Sequence, residues 1–190
     1  MDKRQESRIK TLGIFTLAQA KEIGLSQQSL SRLVAAKSLK RVGHGLYLHP
    51  DAEMDQDVGF QIAFAKFGPE AAIGGLSALF HYNLAEQVPG HIWVLVPPEK
   101  RTRVRGYKFI RTNVSLEHGI VKEKDYRIAT VERTVLEGLK FITKIGEKTA
   151  IKAAREALAN RQTNESKLGK AAKELGLESV LTKYLEVITP

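Results

Sequence analysis

The chain has 190 residues, 43% of them hydrophobic, and 30 Lys and Arg against 21 Asp and Glu give it a net charge of +9. This composition is that of a globular protein with one large domain or two small ones, so disorder of the whole chain is excluded. Because there is no cysteine, disulfides, cysteine-ligated zinc and cysteine nucleophiles are excluded, and the cytoplasm is the expected location. We find neither a signal peptide nor a long apolar run, so we expect no membrane partner.

The charge is distributed in blocks along the chain. Residues 1–50 carry nine basic and three acidic side chains, residues 51–90 carry one and six, and residues 91–111 carry six and one. A basic block beside an acidic block suggests two functional units.

Two short predicted helices open the basic block. The first covers residues 4–12, with Ile9 and Leu12 facing inward. The second begins after Thr16, because Gln19 follows at the spacing of a capping box.

A third helix and a strand pair complete this block. Ser26 is placed to cap a helix that runs from Gln27 to about Lys37. Residues 39–42 and 46–48 are strand-like and flank a glycine-rich turn, which predicts a hairpin with a basic tip. These elements together predict a winged helix-turn-helix.

The rest of the chain predicts a mixed α/β domain with a helical C-terminal tail. Pro50 and the acidic run of residues 51–57 are interpreted as the exit from the first domain, either as a linker or as the capped start of the next helix. Further helices are predicted over residues 58–67, 76–82 and most of the chain from 130 onward, and strands over residues 91–96, 107–112 and 126–129, the first of them central. We therefore expect an α+β fold, with domains at residues 1–50 and 51–190.

The third helix and the hairpin carry candidate DNA contacts. The major groove admits an α-helix whose exposed side chains reach base edges, and basic residues on the wing would hold the phosphates. The candidate base-reading residues are Gln27, Gln28, Ser31 and Arg32, and the candidate phosphate-binding residues are Lys37, Lys40, Arg41 and His44. The alternative is a protein-contact module whose basic residues are merely solvated, but the basic exposed face favours DNA.

A second basic stretch runs from Lys100 to Arg111, where charge alternates with apolar or small residues as at the edge of a hairpin. Tyr107 and Phe109 could stack on unpaired bases, which would make this a second nucleic-acid surface that includes RNA. The alternative is an edge strand kept soluble by charge. The sequence leaves both interpretations open.

Signals for catalysis are poor. Residues 75–79 begin like a hydrolase nucleophile elbow, but the second glycine is missing and Ser77 is better explained as a helix N-cap. The histidines lack metal-site spacing, and His81 and His91 are expected to be structural. There is also no glycine-rich phosphate loop, so we assign no catalytic residue, metal ligand or cofactor.

Charged residues also occur together on the helix predicted after residue 130. Glu132 and Glu137 lie beside Arg133 and Lys140, and ion pairs on the helix surface explain them adequately.

Three segments, in order, resemble the AbiEi-type antitoxins. Residues 11–26, 30–34 and 39–48 are similar to the winged helix of that family, residues 72–84 to the segment that follows it, and residues 128–137 to its Thr-x-Glu-Arg-Thr segment. One departure is Glu137, where family members more often carry Asp.

This resemblance implies a bacterial antitoxin of a type IV toxin–antitoxin system, linked to phage abortive infection. Such a protein neutralises a nucleotidyltransferase-like toxin through its C-terminal domain, commonly without a stable complex. It also represses its own operon by binding inverted repeats in the promoter, so double-stranded DNA is the implied partner. Two protomers, or two copies along one repeat, would occupy adjacent half-sites.

Two other functions stay open. A winged-helix transcriptional regulator would use the second domain to sense a ligand or a partner. A nuclease or other hydrolase would need clustered acidic residues at a strand end, and the sequence offers scattered ones.

Overall fold

The N-terminal part of the chain folds into helices and a small sheet in a computed structural model, which describes residues 2–52, 56–123 and 125–189. Its elements are α1 (Lys3–Leu12), β1 (Ile14–Thr16), α2 (Leu17–Glu22), α3 (Gln27–Ala35), β2 (Lys40–Gly43), β3 (Leu46–Leu48) and α4 (Gln56–Phe67). The three strands are antiparallel, in the order β1-β3-β2. The helix-turn-helix and its wing are therefore present, and β1 is a strand that the sequence analysis did not predict.

Local sequence explains where the helices of this part begin. Thr16 and Gln19 form a reciprocal capping box at α2. At α3, the Ser26 hydroxyl accepts a hydrogen bond from the amide of Ser29 at 3.1 Å. Each cap pairs amide groups that a helix otherwise leaves unpaired, so both predicted caps are confirmed.

A small apolar core holds these elements together. Its buried members are Ile9, Phe15, Ala20, Leu25, Leu30, Leu39 and Tyr47. Ile9 faces inward as predicted, but the inward orientation expected of Leu12 is wrong, because its side chain is 39% exposed. Leu12 is the last residue of α1, and the chain turns away from the helix at Gly13, where φ is +63°.

The chain divides into two units, residues 1–66 and 67–190. The expected domain boundary after residue 50 falls inside the first unit. The reason is that α4 packs against the wing, so closely that a Cβ added at Gly43 would lie 3.2 Å from the Cβ of Ala65. The acidic run predicted as a linker or cap lies partly outside the described residues, at positions 53–55.

The second unit contains a five-stranded sheet with the order β6-β5-β4-β8-β7. Its elements are β4 (Ala72–Ile73), α5 (Gly75–His81), β5 (Ile92–Val96), β6 (Tyr107–Arg111), β7 (Ile120–Glu123), β8 (Tyr126–Ala129), α6 (Val131–Lys140), α7 (Ile142–Ile145), α8 (Glu147–Ala159), α9 (Glu165–Leu175) and α10 (Glu178–Ile188). Its buried core includes Leu79, Leu95, Ile110, Leu136, Ala154, Leu168 and Ala172. The predicted α+β class, with a helical C-terminal part, is confirmed.

Strand pairing confirms one expectation for this sheet and corrects another. β5 lies inside the sheet as predicted, but the centre is β4, a strand of two residues that the sequence did not indicate. β6 runs parallel to β5, with Ile92 opposite Tyr107 and Val96 opposite Arg111. The hairpin expected around β6 is therefore wrong, because a hairpin joins antiparallel strands.

An ion pair is buried in the second unit. The Arg133 and Glu137 side chains are 0% and 1% exposed, and Nη2 of Arg133 donates to Oε1 of Glu137 at 2.9 Å. The same guanidinium donates to the carbonyls of Val114, Ser115 and His118. Burial raises the pKa of Glu137, while the charge and hydrogen bonds of Arg133 oppose that shift. The expected surface pair is therefore wrong for these two residues.

Two further assignments from the sequence are corrected here. The N-cap of α5 is Gly74, whereas Ser77 lies inside the helix and its hydroxyl accepts a hydrogen bond from the amide of Trp93 at 2.9 Å. His91, expected to be structural, is exposed. His81 does lie within the fold, with Nε2 3.3 Å from Oε2 of Glu123.

We expect Arg133→Met to lower the free energy of unfolding by about 3–5 kcal/mol, because it leaves three backbone carbonyls without their donor and a buried carboxylate with the Thr112 hydroxyl as its remaining donor. Trp93 is the single tryptophan of the chain and belongs to this unit, so its fluorescence in a urea titration measures the effect. Lys170→Met, at an exposed position of α9, is the control and should change stability by no more than about 0.5 kcal/mol. Equal stability of the two variants would contradict the importance of the buried pair.

Candidate nucleic-acid interface

The outward face of α3 is polar and basic. Leu30 points into the core and is fully buried, while Gln28 and Arg32 are exposed and lie one turn apart. Gln27 and Ser31 are also exposed and flank this pair. All four candidate base-reading residues therefore share one accessible face of the helix.

The start of α3 is held by contacts from outside the helix. Gln5 of α1 donates from Nε2 to the carbonyl of Ile23 at 3.2 Å, within the turn that joins α2 to α3. Gly24 completes this turn at a φ of +80°. The sequence analysis missed Gln5, because a contact between residues 18 positions apart leaves no local spacing signal.

The hydroxyl of Ser31 is engaged within its own helix. It donates to the carbonyl of Gln27 at 3.0 Å, so its remaining capacity is to accept a hydrogen bond. Arg32 borders a shallow depression of about 220 Å³ that Gln5 and Ser29 also line. Among the candidate base-reading side chains, the two glutamines and Arg32 are thus those with free donors.

The wing is a short hairpin with an irregular register. Arg41 pairs with Tyr47 and Gly43 with Leu46, so Val42 is an extra residue that forms a β-bulge. Gly45 has a φ of +64°, and its carbonyl accepts a hydrogen bond from the amide of Leu17 at 2.8 Å. The wing is therefore tied by its backbone to the beginning of α2.

The candidate phosphate-binding residues are exposed at or beside the wing. Lys40 and Arg41 lie on β2, His44 is at the tip, and Lys37 follows α3. Nε of Arg41 donates to the carbonyl of Gly43 at 3.3 Å, which orients the guanidinium and leaves its terminal amino groups for a phosphate. Lys37 was expected inside the helix, but α3 ends at Ala35 and Lys37 has a φ of +58°.

The described residues contain no group of three or more His, Asp or Glu side chains that could hold a metal ion. Within the same residues, every helix is too short or too polar to cross a membrane.

The comparisons with known proteins concern the N-terminal unit and the fold. Residues 5–50 match the family model described as "Transcriptional regulator, AbiEi antitoxin", which confirms the resemblance over this part of the chain. No curated protein matches the chain. A solved structure similar to it is that of the RV2827C protein from Mycobacterium tuberculosis, with a TM-score of 0.64 and 12% sequence identity over 99% of this chain and 77% of that one. At this identity the likeness shows a shared fold.

We expect Ser26→Ala to lower the stability of α3 by about 1 kcal/mol, because it removes the side chain that caps the first turn. Amide hydrogen exchange in the first turn of α3 measures the loss. Ser26→Asp keeps an acceptor at the cap and should retain protection, and Ser38→Ala at an exposed position is the control. Unchanged exchange in Ser26→Ala would show that the cap is not what holds this turn.

Proposed function

We propose that this protein is the antitoxin of a bacterial type IV toxin–antitoxin system and a repressor of its own operon. The observation that carries the proposal is the exposed polar face of α3 beside a basic wing, within the stretch that matches the AbiEi regulator family. Repression then requires occupancy of the promoter and no catalytic step.

The first unit would bind DNA through α3 and the wing. With α3 in the major groove, Gln27 and Gln28 can pair with adenine, and Arg32 with O6 and N7 of guanine. Lys37, Lys40, Arg41 and His44 would hold phosphates on either side of the reading helix. The operators would be inverted repeats, with two protomers in adjacent half-sites.

The second unit would neutralise a nucleotidyltransferase-like toxin, without a requirement for a stable complex. Support comes from the antitoxin-like segments at residues 72–84 and 128–137, both of which lie in this unit. In the structure the second segment spans the end of β8 and most of α6, where Arg133 and Glu137 serve the fold. The residues that oppose the toxin therefore have to be sought on the surface of this unit.

A ligand-sensing transcriptional regulator is the second candidate. The second unit has an open cavity of about 560 Å³ where β5 and β6 end, lined by Thr112, Ser115, Arg127 and nearby residues. This volume lies in the range of small-molecule sites. Co-expression with a neighbouring nucleotidyltransferase gene separates the two functions, since growth rescue supports the antitoxin and its absence supports the regulator.

A gel-shift titration against the chain's own upstream DNA and a scrambled duplex tests the repressor function. We expect Arg32→Ala to lose about 10- to 100-fold in operator affinity while its affinity for the scrambled duplex changes little, because a base contact is worth about 1–3 kcal/mol. Arg8→Ala on the exposed surface of α1 removes the same charge and serves as the control. Wild-type preference for the operator in Arg32→Ala would show that α3 does not read the sequence through this residue.

The double substitution of Lys40→Ala with Arg41→Ala should weaken binding to both duplexes alike. The loss of two phosphate contacts makes the negative slope of log affinity against log salt less steep by about 1.8. Lys167→Ala with Lys170→Ala, at exposed positions of α9, is the charge-matched control. If the double wing variant kept the wild-type slope, the wing would not contact the DNA backbone.

A further inference from the structure

An arginine-rich loop precedes the edge strand β6 in the second unit. Arg101, Arg103 and Arg105 are exposed and alternate with the half-buried Thr102 and Val104. Among the described residues, none forms an ion pair or hydrogen bond with these three guanidinium groups. The loop therefore carries three exposed positive charges within five residues.

Other basic residues of the same stretch hold the loop in place. Arg111 donates from Nε to the carbonyl of Lys100 at 3.2 Å and from Nη2 to the carbonyl of Thr102 at 3.5 Å. The ammonium group of Lys100 in turn donates to the carbonyl of Phe67. Lys108 lies over the ring of Trp93, with Nζ 3.9 Å from the ring centroid. Lys100, Lys108 and Arg111 are thus engaged within the fold. The three loop arginines stay exposed.

The aromatic residues of the stretch are partly engaged within the fold. The rings of Tyr107 and Phe109 are half-buried and pack edge-on against Phe67, with centroid distances of 4.8 and 4.9 Å. Proteins that hold single strands combine a basic groove with aromatic rings on which bases stack. Packing against Phe67 thus occupies part of both rings, and the more accessible feature of this stretch is the charge at the sheet edge.

We propose that the loop formed by Arg101, Arg103 and Arg105 binds the phosphate backbone of duplex DNA. The planar guanidinium fork matches the geometry of phosphate oxygens, and three such groups within five residues can meet neighbouring phosphates of one duplex. Such a contact reads no sequence and adds affinity to any duplex.

This inference rests on the proposed function in one respect, namely that the first unit binds duplex DNA. Because both units belong to one polypeptide, a second backbone contact becomes intramolecular once the first unit has bound. The sequence-reading surface and the arginine loop would therefore divide specificity and affinity between the two units.

The test compares the full chain with the triple variant Arg101→Gln, Arg103→Gln and Arg105→Gln by fluorescence anisotropy over a series of salt concentrations. Loss of three phosphate contacts should make the negative slope of log affinity against log salt less steep by about 2.7, for operator and scrambled duplexes alike. The control variant, Lys167→Gln, Lys170→Gln and Lys173→Gln, removes the same charge from exposed positions of α9 and should keep the wild-type slope. Circular dichroism and a thermal melt confirm that both variants are folded.

An unchanged slope in the loop variant overturns the inference. A hairpin RNA of equal length serves as a third probe in the same titration. A loss confined to this RNA, with duplex DNA unaffected, overturns the inference as well and assigns the loop to RNA. A wild-type chain that lacks operator preference, with a loop variant that still loses slope, refutes the proposed repressor function and leaves this inference standing. If the wild-type chain prefers the operator but the loop variant keeps the wild-type slope, the proposed repressor function is supported and this inference is refuted.

Discussion

The fold of the second unit depends on the buried guanidinium group of Arg133. The guanidinium of Arg133 joins α6 to the chain segment between β6 and β7 through the carbonyls of Val114, Ser115 and His118. α6 is also the helix against which α5, α8, α9 and α10 pack. Because a buried guanidinium is tolerated only when its donors are paired, the position of this segment and the packing of the helices are fixed together.

What the sequence could predict followed from local chemistry. The caps at Thr16 and Ser26 depend on residues three positions apart, and the apolar spacing of α3 is a property of a single helix. The strands β1, β4 and β7 were missed, since each has two to four residues and exists because of a partner that is distant in the chain. Arg133 and Glu137 were misread because charge at helical spacing has the same pattern on a buried face as on a surface.

At the candidate interface, too, the features that depend on local sequence could be predicted, whereas contacts between distant residues could not. The exposure of Gln28 and Arg32 follows from the position of Leu30 on the opposite face of α3, which the sequence already indicates. The contacts that hold the interface in place could not be predicted in the same way, because Gln5 and the guanidinium of Arg41 donate to backbone carbonyls. Carbonyl acceptors are present at every residue, so a sequence carries no mark of which one a side chain will find.

The tie between the wing and α2 has a consequence for the proposed binding of DNA. The hydrogen bond from the amide of Leu17 to the carbonyl of Gly45 fixes the tip of the hairpin to the helix-turn-helix. The span between α3 and the tip is then a property of the protein, to which a duplex bound as proposed would have to conform. Base steps that adjust groove width at low cost would accordingly be favoured at positions that no side chain touches. The deformability of the duplex, as well as its base contacts, would thus help to determine which sequence serves as an operator.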